Sequence, residues 1–114
     1  MPTQTHNLFG DIPSTVQEEL IQILAESGNV RIERIVSDGH TTPQGEWYDQ
    51  KWDEWVLLVS GGATLLFEGN AAPTTLKPGD HMLIPAHCRH RVERTDTDKK
   101  TVWVAVHFEG NKNS

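Results

Sequence analysis

Residues 45–69 read GEWYDQKWDEWVLLVSGGATLLFEG, and this stretch decides the fold class. Glu54 to Ser60 is an almost unbroken apolar run of strand length. Gly61-Gly62 follows as a hairpin signal, Ala63 to Glu68 reads as a second strand, and Gly69-Asn70 makes the next turn. Downstream, Lys77-Pro78-Gly79-Asp80 places Pro and Gly at the central positions of a type II turn. Strand-like stretches then recur at His81 to Ile84, His90 to Arg94 and Thr101 to Phe108, with the polar turn Thr95 to Lys100 between the last two. Upstream, Val30, Ile32 and Arg34 alternate with Arg31, Glu33 and Ile35, a period of two. Seven or eight short strands at this spacing predict an antiparallel sandwich or small barrel.

One segment reads differently. Ser14 and Gln17 form a capping-box start. Val16, Leu20, Ile23 and Leu24 then fall at helical spacing, and Gly28 supplies a helix stop. The expectation is an arm over residues 1–13 and a short N-terminal helix, together residues 1–28, ahead of a barrel over 29–114, all within one domain.

Acidic residues outnumber basic ones 16 to 10 in the 114-residue chain, a formal charge of −6. A nucleic-acid module needs a basic face, so that class is excluded, and docking on anionic lipid is disfavoured. Four tryptophans and several Val/Leu/Ile runs argue for a folded core. The single cysteine, Cys88, cannot form an intrachain disulfide and fits a reducing compartment. No basic-then-apolar leader opens the sequence, and the longest apolar run, Trp55 to Val59, is far short of a membrane span. These features predict a cytoplasmic protein.

The residues with chemical potential are Glu54, His87 and His90, with Trp47-Tyr48-Asp49-Gln50 upstream. A carboxylate entering a barrel interior needs a partner, because an unpaired buried charge is costly. Imidazole and carboxylate together are ordinary ligands of Zn, Mn, Fe or Ni. On the residues alone, the alternative stands beside it that Glu54 is a rim carboxylate and His90 a hydrogen-bonded wall residue.

The intervals Glu54-x6-Gly61 and Gly79-x5-Pro85, with His90 five positions on, resemble the two motifs of the cupin superfamily. The 45–69 stretch together with LKPGDHMLIPAHCRHRVE (76–93) is similar to small bacterial single-domain, RmlC-like cupins over roughly residues 30–108. The resemblance implies a double-stranded β-helix, or jelly-roll, barrel and commonly a dimer. It also implies a divalent metal held by a His-x-His pair, a Glu and a second-motif His. Glu54 matches the motif Glu and His90 the second-motif His. The His-x-His positions fall on Tyr48 and Gln50 with three-residue spacing, or on Trp47 and Asp49 with four. The second-motif Gly is His87 here and the closing Asn is Arg94. The candidate metal set is therefore Gln50, Glu54, His87 and His90, with Asp49 in reserve, since alternation forbids Asp49 and Gln50 both pointing inward. Tyr48 and Arg94 are the candidates for orienting a substrate.

Bland readings stand beside the rest. Arg34, Arg89 and Arg91 suit the outer face of a sheet, and Arg94 shares strand parity with His90. His107 suits a hydrogen bond, His40 an exposed loop, and His6 and His81 have no companions. Cys88 suits a half-buried thiol, and Trp47, Trp52, Trp55 and Trp103 suit packing, with Trp47 or Trp52 lining a pocket as the alternative. Two functions follow: a metal-dependent enzyme acting on a small organic substrate, or a non-catalytic barrel that binds a small ligand or metal. In both, the partners are a small molecule and a second copy of the chain.

Overall fold

Eight strands run through residues 4–110, the part of the chain that the computed structural model describes. They are β1 Leu20–Ser27, β2 Val30–Ser37, β3 Asp53–Ser60, β4 Ala63–Phe67, β5 Thr74–Leu76, β6 His81–Ile84, β7 His90–Thr95 and β8 Thr101–Phe108. A five-stranded sheet in the order β1-β2-β8-β3-β6 faces a three-stranded sheet in the order β5-β4-β7, with every pairing antiparallel. Alternation sets the faces. Val56 and Leu58 of β3, Trp103 of β8 and Ile84 of β6 meet Ala63, Leu65 and Leu76 of the smaller sheet to form the core. Burying a side chain as fully as Leu58 contributes about 1.5–3 kcal/mol.

The expected N-terminal helix is not formed, and no helix occurs among the described residues. The segment that fits helical spacing also holds Ile21 and Ile23 two apart, and β2 decides between the periods. Leu20–Ser27 pairs along β2 from Leu20↔Val36 to Ser27↔Val30, so Gly28-Asn29 is a two-residue hairpin connection rather than a helix stop. A helix this short is marginal in water without a packed face, whereas the strand gains a full ladder. The backbone of the supposed cap is used elsewhere: the Ser14 carbonyl accepts from Lys100 Nζ at 3.0 Å and the Gln17 carbonyl from His40 Nε2 at 2.9 Å.

Gly61-Gly62 is likewise not a hairpin. β3 and β4 belong to different sheets, so the pair turns a corner between layers. Thr101, fully buried, pins that corner: its hydroxyl donates to the Gly62 carbonyl at 3.1 Å and lies 3.2 Å from the Gly62 N–H. The type II turn at Lys77–Asp80 is formed, with Gly79 at φ +94 and the Asp80 N–H bonded to the Lys77 carbonyl at 2.9 Å. No helix among the described residues is long and apolar enough to cross a membrane.

Two features flank the sheets. Arg34, on the outer face and buried, donates to Gln22 Oε1 and to the carbonyls of Leu8 (2.9 Å) and Gly10 (2.6 Å), tying the N-terminal arm across the sheet. The segment after β2 runs along the free edge of β7. Tyr48 and His90 exchange backbone bonds of 2.7 and 3.1 Å, and the Thr42 N–H donates to the Val92 carbonyl at 3.0 Å.

Candidate functional site

Residues directly opposite in an antiparallel ladder share a face. Across β2, β8, β3 and β6 the register places Arg31, His107, Glu54 and Ile84 in one row, and Glu33, Ala105 and Val56 in the next. From the smaller sheet, His90 at the start of β7 reaches toward this row. The result is a pocket of about 100 Å³ at the barrel mouth, room for several waters at ~10–15 Å³ each. Val56, Leu65, Ile84, Val92 and Trp103 form its apolar part; Glu19, Glu33, Glu54, His90, His107, Tyr48 and Gln50 form its polar part.

Glu54 and His90 thus converge although 36 positions separate them in sequence. Glu54 is 8% exposed and His90 5%, and Glu54 Oε1 lies 3.8 Å from His90 Nε2. The other oxygen, Oε2, lies 3.9 Å from His107 Nε2. Neither oxygen has a direct hydrogen bond to a described residue, which is unusual for a carboxylate this buried. Burial holds the Glu54 carboxyl above its ordinary value of 4.5, against the opposing pull of His107 and then His90.

The imidazoles are set differently. His90 Nδ1 lies 2.9 Å from the Cys88 carbonyl, which can only accept, so Nδ1 donates there and Nε2 is the nitrogen turned to the pocket. His107 Nε2 is already engaged by Glu33 Oε1 at 3.0 Å, and Glu33 Oε2 meets Arg31 Nε at 2.9 Å. Tyr48 stands at the rim with its ring 5.5 Å from that of His90. Burial, and next the Glu19 carboxylate, push its hydroxyl pKa up.

Of the sequence candidates, Gln50, Glu54, His90 and Tyr48 line the pocket; Asp49 and His87 do not. Of Asp49 and Gln50, it is Gln50 that lines the pocket, while Asp49 pairs with His87 Nδ1 at 2.8 Å, both side chains well exposed. Arg94 also leaves the site. The β4–β7 register slips between Thr64↔Arg94 and Leu65↔Val92, so the extra residue Glu93 reverses the parity that would have brought Arg94 in line with His90. Arg94 instead pairs with Asp96 at 3.2 Å. Arg89 pairs with Glu68 and lies over Trp47, and Arg91 with Glu93. Trp103, not Trp47 or Trp52, reaches the pocket. Glu33 and Glu19 were not singled out from the sequence, and His107 was read only as a hydrogen-bonded residue. The available signal was parity: His107 shares it with core Trp103 and Ala105, and Glu33 with Ile35.

His87 carries a second point of interest. Its φ is +62, in a turn closed by Cys88 N–H to the Pro85 carbonyl at 3.1 Å, at the place where the cupin motif has glycine. His87→Gly is expected to raise stability by about 0.5–1 kcal/mol by relieving a left-handed side chain. The exposed Asp49 pair lost with it is worth little. A urea midpoint below that of the wild type would show that the pair outweighs the strain.

A family model described as a cupin domain matches residues 35–107. The chain belongs to the cupin superfamily. Among solved structures it is similar to a Ralstonia eutropha JMP134 protein provisionally described as a mannose-6-phosphate isomerase, with 47% identity, 95% of this chain and 100% of that one covered, and a TM-score of 0.91. It is also similar to a cupin superfamily protein of Desulfitobacterium hafniense (20% identity, 96% and 95% covered, TM-score 0.74). An RmlC-like cupin of Methanocaldococcus jannaschii with a double-stranded β-helix fold shares 17% identity over 87% of each chain, TM-score 0.67. No curated protein matches the sequence. Among the described residues no three His, Cys, Asp or Glu side chains are grouped to hold a metal ion.

Proposed function

We propose that the barrel mouth binds a divalent metal ion through Glu54 and His90, with the Gln50 amide oxygen as third donor, beside a small organic molecule seated on the apolar wall. The observation that carries this reading is the buried Glu54 carboxylate, without a direct hydrogen bond among the described residues, facing His90 Nε2 at 3.8 Å. Two oriented donors and an amide suit Zn, Mn, Fe or Ni. Such an ion supplies Lewis-acid polarisation when bound. Tyr48 at the rim, half-exposed, is placed to hydrogen-bond the organic molecule, and Ile35, Leu65 and Val92 exclude water from its apolar part.

The pocket chemistry narrows the ligand. Glu19, Glu33 and Glu54 line it, and among the described residues no Lys or Arg does. Phosphate recognition ordinarily uses Arg, Lys or a helix N-terminus. A phosphorylated sugar, as the description of the Ralstonia protein would suggest, is therefore a poor fit, and a neutral or cationic molecule a better one.

A second reading is favoured by the engagement of His107 with Glu33, which removes that imidazole from any ligand set. In it the pocket works without metal, and Glu54, whose carboxyl burial holds above its ordinary value, exchanges a proton with the bound molecule. Calorimetric titration of the chelator-stripped protein with Mn²⁺, Zn²⁺ and Ni²⁺ separates the two. One ion bound per chain, lost in Glu54→Ala and in His90→Ala, is expected. Absence of binding by the wild type rejects the metal reading and leaves the second.

A further inference from the structure

We infer that the organic molecule taken by this pocket is a small alkylammonium ion, its charged head held by Glu19 and Glu54 and its alkyl chain laid on the apolar wall. This rests on the reading that the barrel mouth binds a small organic molecule; it does not require the metal ion.

Three carboxylates line the pocket, and they differ in what balances them. Glu33 is matched on both oxygens: Oε2 meets Arg31 Nε at 2.9 Å and Oε1 meets His107 Nε2 at 3.0 Å. Glu54, more than nine-tenths buried, has no direct hydrogen bond to a described residue. Glu19, half-buried, accepts from the Ser37 hydroxyl at 2.7 Å through Oε2. Among the described residues no Lys or Arg lines the pocket that Glu19 and Glu54 share. A buried carboxylate without a counter-charge is costly, and a cation that enters the cavity offsets the cost. Ser37 is fully buried and holds Glu19 in place beforehand, so binding needs little ordering there.

The surroundings choose the kind of cation. Val56, Leu65 and Val92 line the same pocket, and an inorganic ion alone would leave that apolar surface wet. Tyr48 adds an aromatic face, which attracts a positive charge. Burial first, and then the Glu19 and Glu54 carboxylates, raise the Tyr48 hydroxyl above its ordinary value of 10.0, so both carboxylates act where Tyr48 meets the pocket. An ammonium is compact and points three donors in different directions, enough for Glu19, Glu54 and the Tyr48 hydroxyl. A guanidinium is a flat fork suited to the edge of a single carboxylate. A cavity of about 100 Å³ favours the smaller head. A metal ion on Glu54 and His90 would leave Glu19 and Tyr48 to hold it.

The test is an amide NMR titration of the chelator-stripped protein, at neutral pH and fixed ionic strength, with butylamine, butanol and butyrate. The three match in carbon number and differ in the head. Butylamine should shift the amides of Glu54, Val56 and Leu65 saturably, with a Kd about tenfold or more below that of butanol, as one charge-assisted contact gives. Butyrate should not bind. Glu19→Gln and Glu54→Gln should each weaken butylamine about tenfold and leave butanol unchanged. Butanol binding as tightly as butylamine overturns the proposal, as does binding of none of the three. Amine shifts scattered over the acidic surface, or an amine affinity that neither substitution lowers, also overturn it. Should a variant not fold, the three heads compared on the wild type decide. Metal uptake is read separately: a protein that takes butylamine but no Mn²⁺, Zn²⁺ or Ni²⁺ keeps this proposal and loses the metal reading, and the reverse result does the opposite.

Discussion

Gly61→Ala is expected to cost about 3 kcal/mol or more, enough to leave a domain of this size only marginally folded. Two effects add. Gly61 sits at φ +86, a conformation that an L side chain adopts at a cost of about 1–2 kcal/mol. A Cβ built there would also meet the Thr101 side-chain oxygen, come within 2.6 Å of the Thr101 Cα and within 2.9 Å of the Lys100 carbonyl. The hydroxyl could rotate; the backbone of β8 cannot retreat without breaking its ladders to β2 and β3. Overpacking against fixed backbone adds about 1–3 kcal/mol. Gly69→Ala is the matched control, because its φ is +84 but nothing lies within 4 Å of the added Cβ. Its loss should be confined to the conformational part. Equal urea midpoints for the two variants would mean that the corner yields and that the close approach at Thr101 does not matter.

The same corner shows what could be read from the chain. Strand positions were legible because half-buried strands alternate, and β2, β3, β6, β7 and β8 all fall within a residue or two of where their apolar spacing puts them. Gly61-Gly62 announced a change of direction, but two glycines serve a hairpin and a sheet corner equally well, and only the partner strands distinguish them. The N-terminal segment failed for a related reason. Val16, Leu20, Ile23 and Leu24 satisfy a period of 3.6, Ile21 and Ile23 satisfy a period of two, and β2 breaks the tie from outside the segment.

The site divides along the same line. Glu54 and His90 were recognisable through the resemblance to the two cupin motifs, whose Gly and Pro intervals they match. Glu33 and His107 became neighbours only through the β2–β8–β3 register, which no local pattern encodes. Arg94 was misplaced by one inserted residue, Glu93, since a single bulge flips everything beyond it. Asp49 and Gln50 could be reduced to one inward residue by alternation, but which of the two depended on how the segment lies along β7.

Glu54→Gln should stabilise the metal-stripped protein near neutral pH by about 1–2 kcal/mol, roughly 5 °C in Tm. Burial raises the Glu54 pKa above its ordinary 4.5, so the folded chain holds that proton more tightly than the unfolded chain does. The resulting contribution to stability is fully present below pH 4.5 and is lost as pH rises through the folded-state value. At neutral pH the wild type therefore keeps a buried carboxylate whose oxygens stand 3.8 and 3.9 Å from the two imidazoles. The amide carries no charge to desolvate, so the gap between variant and wild type should close as pH falls toward 4.5. A bound divalent ion reverses the order. At a hundredfold excess over Kd it would stabilise the wild type by about 2.7 kcal/mol and leave the variant unchanged. Thermal unfolding in chelator and in excess Mn²⁺, at neutral pH and near pH 4.5, reads all of these arms. A variant less stable than the wild type in chelator at neutral pH would mean that the Glu54 carboxylate is stabilised by its imidazole neighbours rather than stranded between them. A wild type indifferent to Mn²⁺, Zn²⁺ and Ni²⁺ would leave the pocket to proton chemistry alone.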